Sequence, residues 1–472
     1  MEELENLLSG PLDKAIKVLT SQKKDSELIA KYIKEYKNLD RTIRQSQVGI
    51  IQKDKQVGKG EKSKTVKVIR SIVPYQEKIV TTATAFEVGA PVTLIPDKVN
   101  DLSVEIMRLW EENRMDDKIQ KAKVIQKSQT ECAFQFYMKK TIDVENKEVL
   151  DIKAKILSNE EGTMAPYFDA LGDMIAFTWS FSYKNSEDKT IKSTWIWTDK
   201  ICYKCSDQSG SFVIDEAIPH GFDKIPIVYI SQDFPEWHSV ESLIDRYETG
   251  LSKLGASNDY SGYPLLKLYG KVESMPDRND DGKTLKFPMK ELDNETGKTI
   301  HGDADFLTNN NAPESVKLEM DTIDNLIYSL TSTPNLSFDN LKGNIGNLSG
   351  VAIKLLFIDS IIKARMNEGD NRTMLQRIIK IFISGVTTTT NTKLASSKKD
   401  TIVRIQFNSI LPDDLKEAVD IASLAKNAGL MSTRTGVKYL DMTENTEEEI
   451  ALINADKPIG IVKPDTQELK NN

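Results

Sequence analysis

The stretch that decides the fold runs from residue 317 to residue 386. It reads KLEMDTIDNLIYSLTS at 317–332, TPNLSFDNLKGNIGNLSG at 333–350 and VAIKLLFIDSIIKARMNEGDNRTMLQRIIKIFISGV at 351–386. Pro334 ends the first helix because proline has no N–H for the next helical bond. The asparagines and glycines that follow tolerate turns, and apolar residues then return at helical spacing. The stretch predicts a helix, a polar loop held out toward a partner, and a second helix on the order of 50 Å long.

Upstream of this stretch the chain begins with helical and basic segments. Residues 1–47 carry apolar residues at helical spacing on either side of Gly10-Pro11, which predicts two helices. Residues 53–67 (KDKQVGKGEKSKTVK) hold six lysines against two acids. We interpret this segment as a solvated, mobile loop, and a patch that contacts DNA or lipid is the alternative. A short helix is expected at VEIMRLWEEN, residues 104–113.

From about Lys118 to residue 235 the apolar period becomes two. The clearest case is MIAFTWSFSYK, in which large apolar residues alternate with small or polar ones, as in a half-buried antiparallel strand. We expect further strands with turns between them, at 132–140, 149–157, 194–204 and 225–231. Residues 118–235 therefore predict a mainly β region on a helical base.

The remaining segments alternate helices with turns. A helix is expected from Glu236 through Tyr260, and short β-like runs (LLKLYG, TLKF) follow within 263–312. Residues 387–399 predict a flexible turn. The last segments are the strand TIVRIQFN, a helix 415–427 closed by Gly429, and two short helices after Ser432 and Thr446.

Composition narrows the class of protein. The chain has 472 residues, 39% hydrophobic and 28% charged, which is ordinary for a globular protein with more than one structural region. Its net charge of −8 argues against a generic nucleic-acid binder. No apolar run approaches the roughly 18 residues that span a bilayer, and the acidic start MEELENLLSG predicts no signal peptide. Three cysteines cannot build a disulfide framework, which fits a reducing compartment.

Two short patterns suggest metal sites and are better explained otherwise. Asp277-Arg-Asn-Asp-Asp-Gly resembles the start of a calcium loop, but the twelfth position is Pro288 where a glutamate should bind. His301 alternates with Asp303 and Asp305, without a second ligand cluster nearby. We interpret both segments as turns or solvated loops, and we expect neither a metal nor a cofactor.

Cysteine and serine patterns give no catalytic site either. Cys202 and Cys205 lie three apart in an expected strand, where their side chains point to opposite faces, so we expect a pair of buried or half-buried thiols. Gly346-Asn-Leu-Ser-Gly lacks the GxSxG spacing of a nucleophile elbow, and we expect Ser349 to be a helix N-cap. The residues predict no catalytic constellation, and hence no enzyme.

Four motifs in register resemble the portal proteins of tailed bacteriophages, in the branch found in siphovirus-like phages. They lie between about residues 70 and 455, and each is weak alone. They are Pro74-Tyr-Gln-Glu-Lys-Ile-Val80 with Phe86-Glu-Val-Gly-Ala-Pro91, His220-Gly-Phe-Asp-Lys-Ile-Pro-Ile-Val228, Gly346-Asn-Leu-Ser-Gly-Val-Ala-Ile-Lys354, and Phe407-Asn with Leu411-Pro-Asp. Two departures are the Phe86-Glu-Val-Gly variant of the first motif and the 387–399 tract, which affect local packing.

The resemblance implies an α+β portal fold and a ring, usually of twelve subunits, at one capsid vertex. Its parts by position are a wing with a helical base and a mainly β region (1–235), two stem helices (236–262 and 313–333), a small α/β clip (263–312), a tunnel loop (334–350), a long wing helix with a turn (350–399) and a helical crown (400–472). The ring would conduct double-stranded DNA during packaging and ejection.

The resemblance also implies which residues meet these partners. The tunnel loop would face DNA transiently and without sequence preference, through Asn340, Leu341, Lys342, Asn344, Ile345, Asn347 and Leu348. The clip would dock the terminase large subunit and the head-to-tail connector proteins, through Lys271, Glu273, Asp277, Arg278, Asp281, Lys283 and Lys286. Major capsid and scaffold proteins are further expected partners, with assembly in the host bacterial cytoplasm, a final place in the virion, and no membrane contact.

Two other functions stay open at this point. A connector or minor head component would have no central loop facing a channel. A metal-dependent hydrolase would have to gather His301, Asp303 and Asp305 in one concave site, and substitution there would abolish a measurable activity.

Overall fold

The computed structural model divides the chain into two compact units. The first comprises residues 1–335 and 359–408, and the second comprises 336–358 and 409–472. The structure describes these residues: 7–8, 10–39, 41–44, 54–57, 63–68, 70–142, 148–184, 188–208, 210–261, 265–269, 291–292, 299–300, 303–307, 313–335, 355–410, 415–440, 443 and 446–455.

Helices and sheets both contribute to the fold, as the α+β expectation requires. The described α-helices are α1 (Leu12–Leu19), α2 (Ser26–Tyr36), α3 (Tyr75–Val88), α4 (Asp101–Glu112), α5 (Met115–Gln129), α6 (Glu241–Ser261), α7 (Pro313–Leu330), α8 (Ile358–Met366), α9 (Glu368–Gly385), α10 (Leu415–Asn427), α11 (Thr433–Leu440) and α12 (Thr446–Ala455). None of the helices in the described residues is long and apolar enough to cross a membrane.

The strands pair in antiparallel order. They are β1 (Lys55–Val57), β2 (Lys64–Val66), β3 (Thr93–Pro96), β4 (Glu131–Ile142), β5 (Glu148–Leu157), β6 (Thr163–Phe168), β7 (Met174–Lys184), β8 (Thr190–Trp197), β9 (Ile201–Gln208), β10 (Ser211–Pro219), β11 (Ile227–Ser231), β12 (Leu265–Tyr269), β13 (Glu291–Leu292), β14 (Thr299–Ile300), β15 (Asp303–Leu307) and β16 (Val403–Gln406). Strands β10-β9-β8-β7-β6 form one sheet, β11-β4-β5 a second, and β1-β2, β12-β15, β13-β14 and β16-β3 form pairs.

Four cores hold the first unit together, and the smallest of them packs α1 against β7, β8 and β9. In the largest, α4, α5 and α9 bury apolar side chains such as Ile106, Ile119 and Phe382 against β4 and β5. The second lies between the two larger sheets and includes Phe177 and Trp197. In the third, α6 and α7 pack against α2 and α3 around Trp237, Tyr32, Tyr75, Ile244, Ile323 and Ile327. The third core joins the helix before residues 336–354 to the N-terminal half of the chain.

The expected strands are present, but the start of the β region is wrong. Residues Met115–Gln129 form helix α5 where a period of two was expected from Lys118. Its lysines Lys123 and Lys127 are only 5% and 1% exposed, because carboxylates inside the protein neutralise them. Charged residues therefore occupy the buried face, and the sequence lacks the apolar stripe by which helices are recognised.

Other segments also differ from the sequence-based expectation. The expected strand 194–204 is a hairpin of β8 and β9, because the Thr198 hydroxyl accepts from the Ile201 N–H at 3.2 Å and turns the chain. Residues 55–57 and 64–66, expected in a mobile loop, pair as β1 and β2. The tract after Val386 is helical, with the Thr387 hydroxyl donating to the Ile383 carbonyl at 2.8 Å.

The expected long helix is interrupted. It is described from α8 onward, and Asn367 separates α8 from α9. Two local features explain the interruption: Gly369 lowers the helix propensity, and the Asn367 side chain is drawn to Glu87, donating to its carboxylate at 2.6 Å. Ser349, the expected N-cap, lies outside the described residues.

Two expectations are confirmed: that Cys202 and Cys205 are buried thiols, and that a helix ends at Gly429. Cys202 and Cys205 are both buried on β9, and they contribute to different cores on its two faces. Burial raises the pKa of the Cys202 thiol to about 12, so it is not a thiolate at neutral pH. In the second unit, α10 ends before Gly429, whose φ of +70° is the left-handed geometry expected of a glycine there.

Candidate functional site: the anchor of residues 336–354

Both sets of residues expected to meet partners lie outside the described residues. The tunnel-loop set is Asn340, Leu341, Lys342, Asn344, Ile345, Asn347 and Leu348, and the clip set is Lys271, Glu273, Asp277, Arg278, Asp281, Lys283 and Lys286. His301 is also outside them, and of Asp303 and Asp305 only the strand assignment is described. The described structure does show how the chain is held on either side of residues 336–354.

On the N-terminal side, hydroxyl groups close the end of α7. The Thr331 hydroxyl donates to the Ile327 carbonyl at 2.7 Å and lies within hydrogen-bond distance, 3.0 Å, of the Thr333 hydroxyl. Ser332 has a φ of +54°, the left-handed geometry in which many helices end. Asn335 then donates to the Asp324 carboxylate at 3.3 Å, which ties the departing chain back to the helix.

On the C-terminal side, α8 returns directly to this helix end. The Ser360 hydroxyl donates to the Ser332 carbonyl at 2.6 Å, and the Lys363 ammonium donates to the Thr331 carbonyl at 2.8 Å. These carbonyls belong to the end of a helix, where unpaired C=O groups carry partial negative charge, so a lysine is the fitting partner. The chain therefore leaves and re-enters the first unit at one place.

Lys363 also belongs to a chain of alternating charges, which we call the anchor network; its own side chain is 28% exposed, whereas those of the other four members are 9% exposed or less. Its members are Glu87, Lys123, Lys127, Glu236 and Lys363. Lys363 pairs with Glu236 at 2.5 Å and Glu236 with Lys127 at 3.1 Å. Glu87 then pairs with Lys127 at 2.7 Å and with Lys123 at 3.2 Å. Because breaking a buried pair leaves an uncompensated charge, such a network holds its elements in one arrangement.

Glu87 is the centre of this network. Its side chain is 1% exposed, and besides both lysines it accepts from the amides of Asn367 at 2.6 Å and Asn371 at 3.3 Å. Glu87 lies on α3, the lysines on α5, and the asparagines at the junction of α8 and α9. One carboxylate thus joins three helices and fixes the point where the expected long helix is interrupted.

The pKa shifts reflect the same arrangement. Burial would raise the pKa of Glu87, but the ammonium groups of Lys123 and Lys127 outweigh burial and hold it at about 2. Burial also opposes ionisation of Lys127, yet Glu87 and Glu236 raise its pKa. For Lys123, burial prevails over Glu87 and lowers the pKa. The carboxylate at the centre therefore stays ionised well below neutral pH.

A second buried pair fixes α6. Arg41 and Glu248 are 2% and 0% exposed, and they pair at 2.8 Å. Glu248 also accepts from the Val73 backbone N–H at 3.0 Å. On α7, Asp324 accepts from the Tyr75 hydroxyl at 2.5 Å. These contacts bind α6 and α7 to the segment that begins α3, so the helix that leads into residues 336–354 has a fixed base.

Sequence reasoning missed the anchor network. A weak signal was present: Glu87 is an isolated acid between Ile79 and Pro91, and Lys123 and Lys127 are one helical turn apart. Neither pattern identifies its partner, because Glu236 and Lys363 are far away in sequence. In the described residues there is no group of three or more histidine, cysteine or acidic side chains that could hold a metal ion.

Comparison with known proteins assigns the class. Residues 21–458 match the family described as "Phage portal protein, SPP1 Gp6-like". The chain therefore belongs to this family of phage portal proteins, and the resemblance seen in the sequence is confirmed.

The individual proteins that the chain resembles share low sequence identity with it. The chain is 25% identical over 289 residues to a protein named "Portal protein" from Clostridium phage phiCD119, with 56% of each chain covered, so it spans about half the length of the curated relative it matches. Among solved structures it resembles a chain in the neck of a native GTA particle (C12 symmetry), with a TM-score of 0.38, 10% identity, and coverage of 78% of this chain and 89% of that chain. A chain from the virion of a native gene transfer agent gives a TM-score of 0.36 and 11% identity, covering 80% and 96%.

Proposed function

We propose that this protein forms a ring of identical subunits at one capsid vertex and that the ring conducts double-stranded DNA during packaging and ejection. The observation that carries the proposal is membership of the portal family across residues 21–458. The proposed role is structural rather than enzymatic. The portal parts expected from the sequence, from the wing through the stem, clip and tunnel loop to the crown, belong to the same proposal.

The composition of residues 336–350 suits contact with a moving duplex. Each lysine or arginine that neutralises a phosphate releases counterions and tightens binding, so a channel that must let DNA pass needs few such contacts. This segment is rich in asparagine, leucine and glycine, and Lys342 is its only lysine or arginine. Repeated around a ring, Lys342 would form one band of positive charge in an assembly whose subunits each carry −8.

The anchor network supports this role mechanically. DNA moving past a loop exerts force on the two chain ends that hold it. Here Ser332 and Ser360 are joined by a 2.6 Å hydrogen bond, and Lys363 links the same point to Glu236. A buried network of this kind would pass such force into α3 and α5 rather than leave it on one flexible segment.

The proposal assigns partners to the remaining parts. The clip residues from Lys271 to Lys286 would dock the terminase large subunit during packaging and head-to-tail connectors afterwards. The outer parts of the ring would meet the major capsid and scaffold proteins. Twelve copies is the expected number, assembly would take place in the host bacterial cytoplasm, and the final location would be the virion.

Electron microscopy of the purified full chain over a concentration series tests the proposal. We expect rings with a central hole, of uniform subunit number, to appear and persist as concentration rises. A compact monomer at every concentration would contradict the ring. Rings without a central opening would favour a different structural head component.

A further inference from the structure

A cleft of about 600 Å³ opens between the two larger sheets of the first unit. One side is formed by β4 and β5, where Gln135 and Lys155 are cross-strand partners and share a face. The other side is formed by β7, β8 and β9. The sheets touch through buried residues such as Ala133 and Leu157, and the cleft lies where the strands continue beyond this contact. Its volume is in the range of clefts that bind ligands.

The side formed by β7 and β8 is a continuous aromatic surface. Trp179 and Trp195 are cross-strand partners, as are Phe177 and Trp197. Phe181 stacks on Trp179 with centroids 6.3 Å apart and meets Trp195 edge-on at 5.5 Å, while Trp195 and Trp197 are 5.8 Å apart. Phe181 and Trp195 are only half-buried. Trp179 and Trp197 are 4% and 2% exposed, so Phe181 and Trp195 are the rings that this surface offers to an occupant.

The cleft has unused hydrogen-bond donors. Within the described residues, the indole N–H groups of Trp179, Trp195 and Trp197 donate to no protein group and are reached by solvent. Indole nitrogen donates and cannot accept. An occupant that supplies carbonyl oxygens would satisfy these donors.

Charge around the cleft is balanced. Lys155 pairs with Glu161 at 2.9 Å, and Lys204 pairs with Glu216 at 2.9 Å while lying over the Trp195 ring at 5.2 Å. At one end, burial lowers the pKa of His220, and both of its ring nitrogens are engaged, with the Thr198 carbonyl and the Phe222 N–H. The occupant that complements this cleft is therefore uncharged.

We propose that the cleft binds an uncharged, proline-rich peptide segment of a partner protein in polyproline II conformation. Proline supplies a carbonyl acceptor and no N–H, and its ring packs on aromatic side chains. A polyproline II segment has no internal hydrogen bonds, so its carbonyls are free to meet the indole donors. Single-stranded DNA would also stack on the rings, but it needs a positive groove for its phosphates, and the paired lysines do not provide one. This binding function is separate from the proposed channel.

The partner is a different protein rather than a second copy. The chain contains 16 prolines, and the closest two, Pro91 and Pro96, have four other residues between them. Polyproline II grooves recognise prolines spaced as in PxxP, which this sequence lacks.

The test uses the full chain and a blocked ten-residue polyproline peptide, with binding followed by tryptophan fluorescence and calorimetry. We expect saturable binding, and no saturation with a blocked glycine–serine peptide of equal length. Trp195→Leu should weaken binding about tenfold or more, since it removes both ring and donor. Trp195→Phe keeps a ring and loses the donor, so it should give an intermediate loss. Phe234→Leu is the matched control, because Phe234 is 55% exposed outside the cleft, and it should bind like the parent.

Four outcomes would overturn the proposal. The first is absence of saturable binding, and the second is equal binding by Trp195→Leu and the parent. The third is tighter, Trp195-dependent binding of a ten-residue oligothymidine, which would make the cleft a stacking site for single-stranded DNA. The fourth is binding by the monomer and none by assembled rings, which would show that a neighbouring copy covers the cleft.

Discussion

Replacing Glu87 by glutamine tests whether the anchor network fixes this part of the molecule. The substitution preserves shape and removes the charge that Lys127 meets at 2.7 Å and Lys123 at 3.2 Å. Both lysine side chains are nearly inaccessible, at 2% and 6% exposed. Breaking a buried pair in this way costs about 3–5 kcal/mol, because the remaining charges cannot be hydrated.

The pKa of Glu87 gives an independent magnitude. Lowering it from 4.5 to about 2 corresponds to about 3 kcal/mol of stabilisation of the folded protein at neutral pH. Since the folded pKa lies below the unfolded one, this stabilisation is fully present above pH 4.5 and is lost as the pH falls through about 2. Two lines of reasoning therefore agree on a loss of about 3 kcal/mol for E87Q.

The assay is urea unfolding of the parent and E87Q, followed by circular dichroism at pH 7 and at several pH values down to 3. We expect E87Q to unfold at a clearly lower urea concentration than the parent. The difference in unfolding free energy between the two proteins should shrink as the pH falls and Glu87 of the parent becomes protonated. Glu148→Gln is the control: Glu148 is 74% exposed in its pair with Lys140, so its removal should change stability by less than about 1 kcal/mol. E87Q and E148Q with equal stability, or a disadvantage of E87Q that does not depend on pH, would refute the reasoning.

Four further substitutions have outcomes that follow from the structure or from the proposal. Gly385→Ala should destabilise the folded protein by about 1–3 kcal/mol in thermal unfolding, because the added Cβ would lie 2.6 Å from the Ile152 side chain. At Gly369 an added Cβ meets nothing within 4 Å, so Gly369→Ala should stabilise the folded protein by up to about 1 kcal/mol. Asn113→Ala should cost about 1–3 kcal/mol by the same measurement, since the buried Asn113 amide donates to the Ile152 carbonyl at 2.9 Å and its loss leaves that group unpaired. Lys342→Glu should impair packaging or retention of DNA in an in vitro assay and leave rings intact by microscopy, and unaltered packaging would refute the proposed role of the loop.

Much of the fold could be read from local patterns. Alternation in 174–184 gave a strand, and apolar spacing in 317–330 gave α7. Gly429 marked the end of α10. These features depend on a few neighbouring residues, and the physics that forms them acts over the same short range.

Helix α5 and the interruption at Asn367 could not be read in this way. In α5 the buried face carries Lys123 and Lys127, and their burial is tolerable only because Glu87 and Glu236 meet them. Asn367 lies between α8 and α9, and its side chain donates to the distant Glu87. Both outcomes depend on partners dozens to hundreds of positions away in the chain.

The sequence by itself determined the family of the protein and the helices on either side of residues 336–354, because motifs and periodicity are properties of short segments. Only the tertiary structure decided what holds the chain on either side of these residues. The network from Glu87 to Lys363, and the cleft of paired lysines and unpaired indoles, arise where distant segments meet and where burial makes each charge depend on its partner. A charged residue that gives no signal in the sequence determines the packing around it once it is buried away from water.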